Sequence, residues 1–267
     1  MTGSTDIHPH ADGRKLNYVF QSLDQRDKKF AVTAPQPPAN FSLASKITTI
    51  LDQGNLGSCV SNAFAQYIHT NTFNRVFISR LYHYYTGRLL SGFSNLEDTG
   101  LDIRTACKII SKVGACAETV WPYNVNNFNV MPPISAFQGT KYFKSYSYNF
   151  IDQNLTSIQS FLTTTNTPII FGLNVYSSFM TNAVGNTGII PIPNINKETL
   201  LGGHCMLIIG FNNTTQQFLC VNSWGSSWGC NSTGGTSGSR GFCLIPYSYI
   251  LNTNLCSDFC GLSFSYN

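Results

Sequence analysis

Charged side chains are scarce in this sequence: Asp, Glu, Lys and Arg make up 10% of its 267 residues, against roughly 25% in an ordinary soluble domain. Lys and Arg form no dense stripe, and the formal net charge is only +4. Because nucleic-acid binding normally needs a clustered basic surface, we expect no nucleic-acid partner. Hydrophobic residues make up 42% of the chain, which is enough to bury the core of one large domain or of two packed halves.

Long apolar runs are also missing. The stretches 169–175 and 206–211 are far shorter than the roughly 20 residues of a membrane-spanning helix, so we expect no membrane segment. The N-terminal sequence MTGSTDIHPHADGRK lacks the apolar core of a secretory signal peptide. We therefore expect a cytoplasmic location. The abundance of asparagine is compatible with an AT-rich genome, such as that of a protist or a large DNA virus.

The nine cysteines would suit the disulfide framework of a secreted protein, but the missing signal peptide argues against one. Since their number is odd, at least one thiol must be free. A zinc site would need closely spaced pairs, and among Cys230, Cys243, Cys256 and Cys260 only the last two have such a spacing. We expect structural thiols, no metal and no other cofactor.

The chain divides into three parts by composition and periodicity. Residues 1–37 are polar and end in the proline-rich break APQPPAN at 34–40, so we interpret them as an N-terminal arm. Residues 38–135 show helical periodicity, and residues 136–267 contain short apolar segments typical of strands. The expected fold class is α+β, with a helical lobe followed by a β-rich lobe.

The same patterns predict individual elements. An apolar stripe at helical spacing begins at Cys59 and predicts an amphipathic helix. Two further helices are predicted over 80–90 and over 103–113, the latter ending at Gly114. The predicted strands, each bounded by Gly, Pro or Asn, are 168–176, 204–211 and 218–222.

Three separated segments carry the chemistry: QGNLGSC at 53–59, GGHCMLIIGF at 202–211 and VNSWGSSWG at 221–229. Together they resemble the papain/cathepsin family of cysteine peptidases, and the resemblance extends from about residue 38 onward. His204 follows Cys59 by 145 residues, within the roughly 130–150 typical of papain-like enzymes. The resemblance implies a helical left lobe, a β-barrel-like right lobe and an active-site cleft between them.

The resemblance also implies a role for each residue. Cys59 would be the nucleophile, and its place at the start of a helix favours the thiolate. His204, opening an apolar strand, would be the general base, and Asn222 would orient its ring. The side chain of Gln53 and the backbone N–H of Cys59 would form the oxyanion hole. Trp224 would cover the hydrogen bond between Asn222 and His204.

The sequence departs from the family pattern at several positions. Leu56 stands where the signature C-G-[SA]-C-[WY] has its first cysteine, so the usual disulfide cannot form, which fits a reducing compartment. Val60 replaces the aromatic residue after the nucleophile, and Gly203 replaces the aspartate that many members carry before the histidine. Gly100, in the segment EDTG, loosely matches the glycine that hydrogen-bonds the substrate backbone.

The activity predicted from the resemblance is hydrolysis of peptide or protein substrates through a thioester acyl-enzyme. Residues 1–34 are shorter than the helical propeptide typical of the family. We hypothesise that they contact the cleft and restrain a zymogen. Two alternatives remain open: a catalytically silent homologue that binds peptides or proteins, and an acyl-transfer ligase with the same triad.

Overall fold

The computed structural model describes residues 6–7, 11–32, 36–72, 75–94, 96–142 and 147–263. The beginning of the predicted proline-rich break, at residues 34–35, lies outside them. Within these ranges the α-helices are α1 (Cys59–Asn71), α2 (Arg80–Leu90), α3 (Ile103–Lys108), α4 (Ile134–Gln138), α5 (Leu155–Thr165), α6 (Asn182–Thr187) and α7 (Tyr247–Ile250). The strands are β1 (Asn40–Ser42), β2 (Ser147–Phe150), β3 (Ile169–Tyr176), β4 (Leu200–Asn212), β5 (Gln217–Val221), β6 (Phe242–Pro246) and β7 (Cys256–Ser263).

Helix α1 is the central helix of the molecule, and it begins at Cys59 as the sequence predicts. The carbonyl of Ser58 accepts the first helical hydrogen bond, from the N–H of Asn62, at 3.0 Å. The residues of the predicted apolar stripe are buried, and so is every other residue of α1 except the last. Some polar residues of α1 are buried with a partner; for example, Ser61 Oγ lies 2.9 Å from Nδ1 of His83 on α2.

The other two predicted helices are also present. Helix α2 has the predicted bounds, and its N-cap Ser79 accepts a hydrogen bond from the N–H of Tyr82. Helix α3 changes to a wider π turn over Ile109–Val113, which ends at Gly114 with φ 85°. Glycine suits this end because a positive φ is strained for residues with a Cβ.

The strands form one antiparallel sheet in the order β2-β7-β3-β4-β5-β6, with β1 paired to β4. The predicted start of β4 at His204 is wrong, because the ladder with β3 continues through Gly203 and Gly202 to Leu200. The reason is that backbone hydrogen bonds set the length of a strand, and glycines without side chains gave no periodic signal. His204 therefore lies inside a paired strand, opposite Leu173.

One hydrophobic core joins the helices to the sheet. Helix α1 packs on β4. Cys59, which begins α1, is therefore held at a fixed position relative to β4. Within the described ranges, no helix is long and apolar enough to cross a membrane. The succession of helices and then mostly strands agrees with the predicted α+β class.

Candidate active site

The nucleophile predicted at Cys59 lies where α1 meets β4. Its side chain is fully buried, and its sulfur interacts with the backbone of Cys205, the residue that follows His204. As the first residue of a 13-residue helix, Cys59 lies in the positive field of the helix N-terminus, which favours a thiolate. The packing of α1 on β4 thus brings Cys59, the predicted nucleophile, to the strand that carries His204, the predicted base.

His204 and Asn222 are hydrogen-bonded through Nε2 and Oδ1 at 2.8 Å. The backbone N–H of Ser223 donates to the same Oδ1 at 2.8 Å, so the side chain of Asn222 is held in place. The ring of Trp224 lies 4.9 Å from the imidazole, centroid to centroid, and is fully buried. The other imidazole nitrogen, Nδ1, is buried without a hydrogen-bond partner among the described residues. This nitrogen is therefore available to exchange a proton with a neighbouring group.

Hydrogen bonds to Ser223 and Leu56 hold the side chain of Gln53 in place. Its backbone N–H donates to the carbonyl of Ser223 at 2.9 Å, and its Oε1 accepts from Ser223 Oγ at 2.8 Å. Its Nε2 donates to the carbonyl of Leu56 at 2.9 Å and to the carbonyl of Lys15 at 3.3 Å. The donor predicted to stabilise an oxyanion is therefore occupied by a carbonyl of the arm.

The arm continues along the cleft after its contact with Gln53. The N–H of Tyr18 donates to the carbonyl of Gly203 at 3.0 Å, and that of Val19 donates to the carbonyl of Leu101 at 3.2 Å. Asn17 lies so close to Gly57 that a Cβ there would be 2.7 Å from its side chain. The missing side chain at this glycine lets the arm lie directly against the loop that carries Cys59.

Gly100, predicted to bind substrate backbone, also borders the cleft. A Cβ at Gly100 would overlap the carbonyl of Asn17. Its N–H, however, donates to the hydroxyl of Tyr84 at 2.9 Å, whereas the carbonyl of Leu101 accepts the backbone bond from the arm. Gly100 therefore lies beside the arm, but its N–H donates to Tyr84 and not to the arm.

Two ion pairs, which the sequence did not predict, attach the arm to the rim of the cleft. Arg14 pairs with Asp52 and donates to the carbonyl of Gly54 at 2.9 Å. Lys15 Nζ lies 2.9 Å from Asp98 Oδ2, and Asp98 also accepts the N–H of Gly57. Single charged residues that are far apart in the chain form no motif. The sequence therefore offered no signal for these ion pairs except that charged residues are rare in it.

Burial favours the uncharged forms of both catalytic candidates. Burial raises the pKa of the Cys59 thiol to about 12. It lowers the pKa of His204 to about 4, with a contribution from the charge of Arg14, although the bond to Asn222 acts in the opposite direction. The pair is therefore a neutral thiol and a neutral imidazole at neutral pH, and not the thiolate–imidazolium pair that attacks a carbonyl.

We expect the ring of His204 to stay neutral between about pH 5 and pH 8 in the intact protein. An unperturbed histidine gains its proton near pH 6.5, whereas His204 should gain it only as the pH falls towards 4. The measurement is an NMR titration of imidazole signals, assigned by the signal that disappears in His204→Gln. A midpoint near 6.5 in the intact protein would contradict the proposed burial of the site.

Comparison with known proteins identifies the family. A family model described as papain family cysteine protease matches residues 38–245. A peptidase C1-like protein of Acanthamoeba polyphaga mimivirus is 36% identical over 279 residues, covering 92% of this chain and 86% of the relative. Xylellain, a cysteine protease from Xylella fastidiosa, matches with a TM-score of 0.84 and 28% identity, covering 94% of this chain and 96% of that one.

More distant structures share the fold. Procathepsin B from Trypanosoma congolense matches with a TM-score of 0.71 at 15% identity, over 94% of this chain and 86% of that one. These matches confirm the predicted two-lobe α+β fold and the resemblance derived from the three sequence segments. The chain belongs to the papain family of cysteine proteases.

Proposed function

We propose that this protein hydrolyses peptide bonds through a thioester acyl-enzyme on Cys59 and is made as a zymogen restrained by its arm. The observation that carries the proposal is the 2.8 Å hydrogen bond between His204 and Asn222. His204 lies on β4, and the backbone of the next residue on that strand, Cys205, contacts the sulfur of Cys59. A cysteine activated by an oriented imidazole is the arrangement that nucleophilic catalysis needs.

Each step of the proposed reaction uses a group in the described cleft. With the arm displaced, His204 takes the proton of Cys59, and the thiolate attacks the substrate carbonyl. Gln53 Nε2 and the N–H of Cys59 donate to the developing oxyanion. Protonated His204 then gives its proton to the leaving amine, and the thioester remains. His204 finally removes a proton from water, which attacks the thioester and releases the acid product.

The proposed restraint rests on the position of the Lys15 carbonyl. It accepts a hydrogen bond from Gln53, and this donor would otherwise bind the oxyanion. The arm also lies directly against Gly57 and Gly203, which are close to Cys59 and His204 in the chain, so it would have to move before a substrate could bind there. Because the arm is part of the same chain, its local concentration is high, and it competes strongly with a substrate in solution.

We expect Arg14→Ala to increase the rate at which an epoxysuccinyl-peptide inhibitor labels the intact protein by about five- to thirtyfold. This change removes a charge-assisted contact worth roughly 1–2 kcal/mol between the arm and the body. The matched control is Arg26→Ala, because Arg26 pairs with Asp24 inside the arm. Equal labelling rates for the two variants, measured by intact mass against time, would contradict a restraining role for Arg14.

The reaction is best tested on a full chain that has folded before the arm is released. Leu23 is fully exposed, so a recognition sequence for a site-specific protease can be inserted between Leu23 and Asp24. The protein is cut after folding and diluted to release the fragment; we call this product the cut protein. Its action on a pool of peptides is then read by mass spectrometry.

Each outcome of that experiment identifies one of the functions considered. Products with one added water across a cleaved bond support the proposed peptidase. Joined peptides would indicate an acyl-transfer ligase. Cut protein that neither changes any peptide nor reacts with the epoxysuccinyl inhibitor, while remaining folded and reduced, would indicate a silent homologue.

We further propose that the protein works in a reducing compartment such as the cytoplasm. All nine cysteines are free and buried in the structure. Two of them, Cys107 and Cys260, have sulfur atoms only 3.3 Å apart. Thiols this close would readily be bonded in an oxidising compartment, and Leu56 removes the disulfide usual in the family. A thiol count on protein isolated under acid quench from its native cell tests this location.

A further inference from the structure

A buried carboxylate holds the loop that leads into Cys59. The backbone N–H of Gly57 donates to both oxygens of Asp98, at 3.1 Å to Oδ1 and at 3.0 Å to Oδ2. The side chain of Asp98 is only 5% exposed, and Gly57 is buried as well. A buried backbone N–H without a partner would be costly, so Asp98 satisfies a donor that lies two residues before the proposed nucleophile.

Helix α2 fixes Asp98 in its turn. The hydroxyl of Tyr84, which is fully buried, donates to Asp98 Oδ1 and accepts from the N–H of Gly100 at 2.9 Å. One turn further along α2, Arg88 donates to the carbonyl of Glu97 at 2.6 Å. Burial, together with the nearby Asp98, raises the pKa of Tyr84 well above its usual value, so the phenol remains a donor at neutral pH. These three contacts fasten the segment that carries Asp98 to a buried helix.

The bond to Asp98 ties the loop at a point where the family disulfide is missing. Leu56, next to Gly57, stands at the first cysteine of the family signature, so that disulfide cannot hold the loop. A neutral contact holds it as well, because the hydroxyl of Tyr123 donates to the carbonyl of Gln53 at 2.8 Å. A hydrogen bond to a charged acceptor is roughly twice as strong as a neutral one. Asp98 is therefore the stronger of these two ties.

The backbone donor of the proposed oxyanion hole depends on the position of this loop. The N–H of Cys59 lies two residues after that of Gly57, and planar peptide units leave few torsions between them. A shift of Gly57 therefore moves the N–H of Cys59 with it. A displacement of about 1 Å in a catalytic group can lower a rate about 100-fold. The bond from Gly57 to Asp98 thus acts on the contact that stabilises the oxyanion.

We propose that Asp98 is a positioning residue of the peptidase, which holds the N–H of Gly57 and thereby keeps the N–H of Cys59 aimed at the developing oxyanion. The inference rests on the proposed function and deepens it. Asp98 also pairs with Lys15 of the arm at 2.9 Å, so one carboxylate serves both restraint and catalysis. The two roles use different properties, since the ion pair needs a negative charge whereas the N–H of Gly57 needs an acceptor oxygen.

Asp98→Asn and Asp98→Ala separate these two properties. Both changes remove the charge, but only asparagine keeps an oxygen that can accept from Gly57 and Tyr84. A labelled peptide of residues 11–23 is titrated into cut protein that carries Cys59→Ala and one of the two changes. We expect both changes to weaken its binding by a similar factor, about three- to fivefold, because both remove the partner of Lys15.

The catalytic test measures kcat and KM for a peptide that the cut protein hydrolyses. We expect Asp98→Ala to lower kcat about 10- to 100-fold and to change KM by less than about threefold, because the oxyanion contact forms only in the transition state. Asp98→Asn should restore kcat to within about threefold of the unchanged protein, since one acceptor oxygen is enough for the N–H of Gly57.

Asp102→Ala is the matched control for this test. Its carboxylate also accepts a backbone N–H, that of Thr105 at 2.8 Å, but at the start of α3. All variants are assayed at a temperature where a thermal melt shows them to be folded. A purely structural role of Asp98 predicts that the two alanine variants lose activity alike and only as they unfold. We expect kcat of folded Asp102→Ala to be unchanged.

An NMR test reads the contact without catalysis. Labelling with ¹³C-carbonyl leucine and ¹⁵N-glycine selects the amides of Gly57 and Gly202, the two glycines that follow a leucine in this sequence. In cut protein that carries Cys59→Ala, the amide of Gly57 should exchange with solvent about tenfold or more faster in Asp98→Ala than in Asp98→Asn. The amide of Gly202, on β4, is the internal reference and should not change.

The outcomes separate the inference from the function on which it rests. Unchanged kcat in Asp98→Ala, in a cut protein that hydrolyses peptides, would overturn the positioning role and leave the peptidase in place. An equal loss of kcat in the alanine and asparagine variants would do the same, because the charge and not the held N–H would then matter. No hydrolysis by the unchanged cut protein would overturn the proposed function, and faster exchange of Gly57 would then show a structural contact only.

Discussion

Cutting the chain between Leu23 and Asp24 is expected to increase the rate of Cys59 labelling by an epoxysuccinyl-peptide inhibitor at least about 100-fold. The arm is held by the ion pair of Arg14 with Asp52 and by the bonds from Gln53 to Lys15 and from Tyr18 to Gly203. Each such contact is worth roughly 1 kcal/mol. Three or four of them together exceed the roughly 2.7 kcal/mol that corresponds to a factor of 100.

Electrostatics should add to this increase. The pKa of Cys59 is raised to about 12 and that of His204 is lowered to about 4, in both cases mainly by burial. Release of the arm lets water reach both groups and removes the charge of Arg14. Water stabilises charged forms, so the pKa of Cys59 should fall and that of His204 should rise, which favours the reactive ion pair.

The measurement is intact mass against time, before and after cutting the same preparation. The protein with the inserted sequence but without the cut is the control for the insertion itself. Circular dichroism before and after the cut checks that the body remains folded. Equal labelling rates in the folded cut and uncut proteins would show that the arm does not restrain the site.

Much of the catalytic arrangement could be predicted because it is encoded locally. The apolar spacing after Cys59 predicts the helix, and NSWG after β5 places Asn222 and Trp224 directly after a strand. The limit of this reasoning is visible at His204. The strand continues in the N-terminal direction through Gly202 and Gly203 because β3 pairs with it there, and pairing with a distant segment leaves no mark in local periodicity.

The contacts of the arm could not be predicted in the same way. The sequence suggested that a polar arm reaches the cleft, but not that the carbonyl of Lys15 accepts a hydrogen bond from Gln53 or that the N–H of Tyr18 donates to Gly203. These contacts join residues that are far apart in the chain, and local periodicity carries no information about them. The contacts of the arm therefore became visible only in three dimensions.

Cys59→Ala is expected to lower kcat for peptide hydrolysis by the cut protein at least about 10⁴-fold, because it removes the atom that forms the covalent intermediate. Cys205→Ala is the matched control. Both thiols are buried, and they lie beside each other where α1 meets β4. Only Cys59 begins a helix, where the positive field of the helix N-terminus favours a thiolate.

The comparison of the two variants separates nucleophilic catalysis from packing. Each change removes one buried sulfur and should destabilise the fold by a similar small amount, roughly 1–2 kcal/mol, which a thermal melt would show. If packing alone mattered, both variants would lose activity in proportion to their stability. We expect Cys59→Ala to be inactive at temperatures where it is fully folded, and Cys205→Ala to retain most of its activity. Residual hydrolysis by Cys59→Ala above about one part in a thousand would assign the nucleophile to another residue.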